Sequence, residues 1–101
     1  SAIKAPSKFP IVRRDLAVLV DTDIAWQSLE ADIRAAVGVH LQDVWLFDVY
    51  TGERLPTGTR SLAFAMVFQN HDATLEDEQI KKAVDKVVAV LDEKHGAKLR
   101  D

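Results

Sequence analysis

Asp48 and Tyr50 are separated by a single residue. On an extended strand that spacing puts a carboxylate and a phenol ring on one face. A carboxylate accepts two hydrogen bonds from the Watson–Crick edge of guanine, where the N1–H and the exocyclic amine both donate. Tyrosine or arginine stacks on the plane of such a base. A structural reading stands beside this one: Asp48 pairs with Arg13 or another surface base, worth about 0–1 kcal/mol when exposed, and Tyr50 covers a sheet.

The other residues with chemical potential fit poorly together. His40, His71 and His95 fall at the ends of elements, and no two have the helical spacing of metal ligands. His71-Asp72 reads as part of a turn. Ser28 and Ser61 have no His–carboxylate pattern near them in sequence. Gly52 and Gly58 flank a hairpin rather than a helix start, so no phosphate-cradling loop is expected. Lys81, Lys82, Lys86 and Lys94 alternate with Asp85, Asp92 and Glu93, as on a solvated helix face.

The chain has 101 residues, of which 48% are hydrophobic and 29% charged, as expected of one domain with its own core. It contains no cysteine, which removes disulfides and thiolate metal sites. No apolar run approaches the roughly 18 residues of a membrane span, and no signal-peptide pattern opens the sequence. A cytoplasmic setting fits. The net charge of −3 is unusual for an RNA binder, because phosphate contacts supply most of the affinity of such proteins. An acidic domain can read RNA if it makes few phosphate contacts and another part of an assembly supplies the positive charge.

The elements that must position Asp48 and Tyr50 follow from periodicity. Residues 1–8 are small, polar and basic and read as a linker, so the domain is expected over 9–101. Residues 13–20 alternate as a strand, with Leu16, Val18 and Val20 on one face and Arg13, Asp15, Ala17 and Leu19 on the other. Asp21 or Asp23 can cap a helix whose stripe is Trp26, Leu29, Ile33 and Val37, and Gly38 ends it. Residues 42–50 form a second strand and 61–69 a third, joined by a loop holding Gly52, Pro56 and Gly58. Thr74 and Asp77 resemble a capping box for a long helix. Its stripe is Ile80, Val84, Val87, Val88 and Leu91, and Gly96 stops it. Residues 97–100 make a short last strand.

The order strand–helix–strand–strand–helix–strand predicts an α+β, ferredoxin-like βαββαβ sandwich. Four antiparallel strands carry both helices on one face and leave the other open. Leu16/Val18/Val20, Trp45/Phe47/Val49 and Leu62/Phe64/Met66/Phe68 are the most apolar sets and are assigned to the helices, with Phe47, Phe64 and Leu91 expected to be buried. Trp26 and Trp45 are assigned to the core. Alternation then leaves Arg13, Asp15, Leu46, Asp48, Tyr50, Ser61, Ala63, Ala65, Lys98 and Arg100 on the open face. RNA-recognition motifs share this topology but stack bases on aromatics of the central strands. Ala63 and Ala65 stand there instead, which argues against that module.

Several segments together resemble the ferredoxin-fold anticodon-binding domain that ends the β subunit of bacterial phenylalanyl-tRNA synthetase. They are Phe9-Pro10 with Arg13-Arg14-Asp15-Leu16, then Leu46-Phe47-Asp48-Val49-Tyr50, Ser61-Leu62-Ala63-Phe64, Thr74-Leu75-Glu76-Asp77-Glu78 and Gly96-Ala97-Lys98-Leu99-Arg100. Each motif alone is weak, but five in order over residues 8–101 are specific. The resemblance implies a parent enzyme that joins phenylalanine to its tRNA with ATP and Mg2+, in the cytoplasm, as an α2β2 assembly. In that family catalysis lies in the α subunit and editing in another β module, so this chain is expected to be non-catalytic and to need no cofactor. Its expected partners are the tRNA(Phe) anticodon and the α subunit, with neither a membrane nor DNA among them. The family's contacts to the first anticodon base, a guanine, map onto Asp48, Tyr50, Ser61 and Arg100. Arg13 joins them as a further open-face cation.

Two other classes compete. An ACT-like regulatory module shares the element order but binds small ligands near a glycine-bearing turn after the first strand. Here that turn is Asp21-Thr22-Asp23-Ile24, without glycine. A protein-docking domain would use the open sheet to hold a partner chain.

Overall fold

The computed structural model describes residues 7–100. Most of the linker expected at 1–8, and Asp101, lie outside the described residues. Strand β1 (Val12–Asp21) leads to helix α1 (Trp26–Val37), a short 3-10 turn (Gly38–His40) and β2 (Leu41–Tyr50). Then come β3 (Thr59–Phe68), α2 (Asp77–His95) and β4 (Lys98–Leu99). The sheet order is β2-β3-β1-β4 and every pairing is antiparallel. This is the ferredoxin-like sandwich that the element order predicts.

β3 carries the core. Leu62, Phe64, Met66 and Phe68 alternate along it and all are at most 1% exposed. Their register partners on β1 include Leu16 and Val18, and the helices add Leu29, Ile33, Ile80, Val87 and Leu91. Burying each such side chain contributes about 1.5–3 kcal/mol. Trp26 closes one end, its ring 5.3 Å from that of Phe64.

The helix ends differ in part from the sequence expectation. Neither Asp21 nor Asp23 caps α1. Its N-cap is Ala25, without a side-chain bond, because the Ile24 N–H turns back to the Asp21 carbonyl at 3.1 Å and uses the intervening residues as a turn. The cap of α2 lies two residues later than the Thr74–Asp77 reading. Glu76 is the N-cap, and its backbone N–H donates to Gln79 Oε1 at 2.8 Å. Leu75 is buried before it, so the chain must first return to the core. Gly96 ends α2 as expected, at φ 65°. Ala97 N–H reaches the Leu91 carbonyl at 3.2 Å, a closure that needs the left-handed residue between.

A hydrogen bond and an ion pair join the helices: His95 Nε2 lies 2.6 Å from Asp32 Oδ2, and Lys94 Nζ lies 3.5 Å from Oδ1. The His95 hydrogen bond is the strongest influence on Asp32 and holds its carboxyl below the ordinary carboxylate value. Burial opposes this, and Lys94 reinforces it. A carboxyl depressed in the folded state adds stability above its unfolded pKa and loses it as pH falls through the folded value. Asp32→Asn is therefore expected to flatten the acid limb of stability against pH, read as the urea midpoint from neutral to strongly acidic solution. An unchanged acid limb would contradict this.

Candidate nucleic-acid interface

The alternation assumed for β2 fails in its middle. Its register against β3 shifts between Leu46 and Asp48, and again between Leu41 and Asp43. At the first shift Phe47 is the extra residue of a β-bulge, which reverses the facing of everything on one side of it. Val44 and Leu46 pair with Met66 and Phe64 on the helix side. Trp45 and Phe47, expected in the core, are 37% and 50% exposed, while Leu46, expected outside, packs against the core. Beyond the bulge the expected facing returns: Asp48 pairs with Ala63 and Tyr50 with Ser61 on the uncovered face.

Ser61 is the hub of that face. It is 2% exposed, the one buried polar side chain among the described residues. Tyr50 is its register partner on β2, and Arg100 Nη1 donates a long 3.4 Å hydrogen bond to its Oγ. The Arg100 guanidinium lies over the Tyr50 ring, 5.0 Å from the centroid, as a cation–π pair. Arg100 follows β4, and its N–H bonds the Ala17 carbonyl at 2.8 Å. Asp48, Ala63, Ala17 and Arg100 therefore form one row across the sheet. From that row the Arg100 side chain reaches over to Ser61 on β3 and to the Tyr50 ring on β2. Asp48, Arg100 and Tyr50 thus supply an acceptor, a donor fork and a ring on one face, with the small side chains of Ala17 and Ala63 between the outer strands.

The Asp48 carboxylate makes no hydrogen bond or ion pair among the described residues. Arg13, the partner that a structural role would give it, is held by Asp15 instead, with Nε 2.8 Å from Oδ1 and Nη2 3.3 Å from Oδ2. The fold thus brings together Asp48, Tyr50, Ser61 and Arg100. It places Arg13 beside Trp45 and Phe47, one row or more away. Lys98 pairs with Leu19, but its Nζ turns to Asp92 of α2 at 2.6 Å and leaves the face.

Gly52 reads in sequence as a turn glycine, and the structure gives it a second duty. A Cβ at this position would meet the Tyr50 hydroxyl and come within 2.8 Å of its Cζ. Its place beneath the ring is fixed by a turn in which Leu55 N–H donates to the Gly52 carbonyl at 3.0 Å. The obstructing atoms are the free end of a side chain, so Gly52→Ala swings the ring away and leaves the backbone intact. Gly52→Ala is expected to displace the Tyr50 ring from the Arg100 guanidinium, read from the tyrosine ring resonances, while leaving the unfolding midpoint nearly unchanged. A large stability loss with the Tyr50 ring undisturbed would show the glycine serving the turn alone.

The histidines stand apart from this face: His71 Nε2 lies 2.6 Å from Gln42 Nε2, and His95 belongs to the helix pair.

The antiparallel βαββαβ sandwich, with one sheet face left uncovered by helices and an arginine–tyrosine stack on it, defines a small domain of the ferredoxin-like class. The family profile described as the ferredoxin-fold anticodon binding domain matches residues 7–100, and the chain belongs to that family. Among curated proteins it is similar to the phenylalanine–tRNA ligase beta subunit of Psychrobacter arcticus, with 58% identity over 100 residues, 99% of this chain and 12% of that protein. The protein of the same description from Clostridium tetani is 44% identical over 97 residues, 96% of this chain and 12% of that one. That of Xanthomonas oryzae is 42% identical over 94 residues, 93% and 12% respectively. The chain thus spans 12% of the length of these relatives.

Proposed function

We propose that this chain is the anticodon-reading module of a phenylalanine–tRNA ligase β subunit and that it holds the first anticodon base of tRNA(Phe), a guanine. Support comes above all from Asp48: a carboxylate without a partner, on the face that the helices leave uncovered, beside Tyr50, Ser61 and Arg100. Asp48 accepts from N1–H and the exocyclic amine. Adenine offers an acceptor at N1, so the carboxylate discriminates between the purines. Arg100, already stacked on Tyr50, supplies a plane for the base, and Ser61 anchors the arginine from below.

Amino-acid activation with ATP and Mg2+ takes place in the catalytic α subunit of an α2β2 cytoplasmic enzyme, and this chain performs no covalent step. With a net charge of −3, it contributes selectivity more than affinity, and other modules bind the phosphates. Titration with an anticodon stem-loop and with phenylalanine tests the proposal. Shifts of Asp48 and Tyr50 resonances with the RNA alone support it. A response to phenylalanine would favour a regulatory module, and a response to neither would favour protein docking. ATP–pyrophosphate exchange by the pure chain would also contradict it.

A further inference from the structure

The uncovered face carries a second feature, which the anticodon-base site does not use. Trp45 and Phe47 expose their rings on the same side as Asp48, and the Arg13 guanidinium lies 5.3 Å from the Trp45 centroid and 5.8 Å from that of Phe47. Its two contacts with Asp15 fix the orientation of the guanidinium and offset its charge. Ala65, paired with both Trp45 and Asp15, is fully buried, so side chains of this face roof it over. The bulge that misplaces Phe47 for the core gives it this role, because it turns two consecutive residues, a ring and a carboxylate, toward one face.

We propose that Phe47, with Arg13 and Trp45 behind it, is a stacking subsite for the nucleotide adjacent to the base held at Asp48. The inference rests on the proposed reading of the neighbouring site and extends it from one base to two. Three observations favour a base as occupant. The patch is continuous with the site at Asp48, since the two residues adjoin in the chain. It offers ring faces and a guanidinium plane with its charge already offset, which suits sequence-tolerant stacking. Two rings are also far smaller than the apolar centre of a stable protein interface.

The test uses the full-length β subunit assembled into active ligase, and tRNAs with an abasic residue at either position adjoining the first anticodon base. Phe47→Leu is expected to lower charging efficiency on intact tRNA by roughly ten-fold, the scale of one lost stack. Phe47→Tyr, which keeps the ring, should stay within about two-fold. On one of the two abasic tRNAs the wild type should show a similar loss, to which Phe47→Leu adds nothing. Equal effects of Phe47→Leu on intact and both abasic tRNAs overturn the subsite. No effect of Phe47→Leu, with Asp48→Ala still sensitive to the first base, overturns the subsite alone. If Asp48→Ala is insensitive as well, the reading beneath it falls too. Dissociation of β from α in Phe47→Leu would assign the patch to a protein partner and overturn the proposal.

Discussion

Asp48→Ala in the assembled ligase is expected to lower charging efficiency by roughly one to two powers of ten. A well-placed bidentate base contact is worth about 1–3 kcal/mol of discrimination in protein–DNA complexes, and the same donor–acceptor geometry applies here. The loss should fall mainly on productive binding of the tRNA, with the catalytic step for bound substrate less affected, because the carboxylate touches no reacting atom. Folding should not contribute. Asp48 is exposed, on an edge strand, and its carboxylate makes no hydrogen bond or ion pair among the described residues. Removing an exposed carboxylate of this kind changes stability by about 0.5 kcal/mol or less. Charging kinetics and a thermal unfolding curve on the same variant separate the two effects. A large fall in unfolding midpoint with proportionate loss of activity would mean that Asp48 supports the sheet.

Phe64→Ala is expected to have the largest effect on stability, about 3–5 kcal/mol. Phe64 is fully buried, pairs with Leu16 on β1 and Leu46 on β2, and packs against Trp26. The cavity would open beneath three strands and a helix. For a domain of this size, about 4–8 °C of midpoint is lost per kcal/mol, so the variant should melt at least ~12 °C lower. Phe47→Ala makes a sharp contrast. It removes the same ring from the same sheet, yet it should cost about 1 kcal/mol or less, because that ring is half in water. Similar unfolding losses for the two phenylalanines would contradict the facing described for β2.

That contrast marks how far the sequence could be read. β1 and β3 alternate strictly, and the stripes Leu29/Ile33 and Ile80/Val87/Leu91 follow helical spacing, so topology and most of the core were legible. β2 was not, because Trp45, Phe47 and Val49 form a more apolar set than Val44 and Leu46. A bulge adds one residue and no distinctive composition, so its place emerges only from pairing with β3. The facing expected for Asp48 and Tyr50 holds because they lie beyond the bulge. The helix caps failed for a related reason. Thr74, Asp21 and Asp23 are all capable acceptors, and the one used depends on where the chain leaves the sheet. Gly52 carried a signal, two residues after Tyr50, but its clash depends on which way the ring lies. That Arg13 pairs with Asp15 and leaves Asp48 free is likewise a choice between equal charges that spacing does not decide.

Whether Asp48 reads a base is decided by one thermodynamic cycle. Charging efficiency is measured for wild-type ligase and for Asp48→Ala, each with tRNA(Phe) carrying guanine and with tRNA carrying adenine at the first anticodon position. If the carboxylate accepts from guanine, the adenine tRNA has already lost the contact. Asp48→Ala should then cost roughly ten- to a hundred-fold on the guanine tRNA and little on the adenine tRNA. Equal losses on both tRNAs would show that the residue does not see the base.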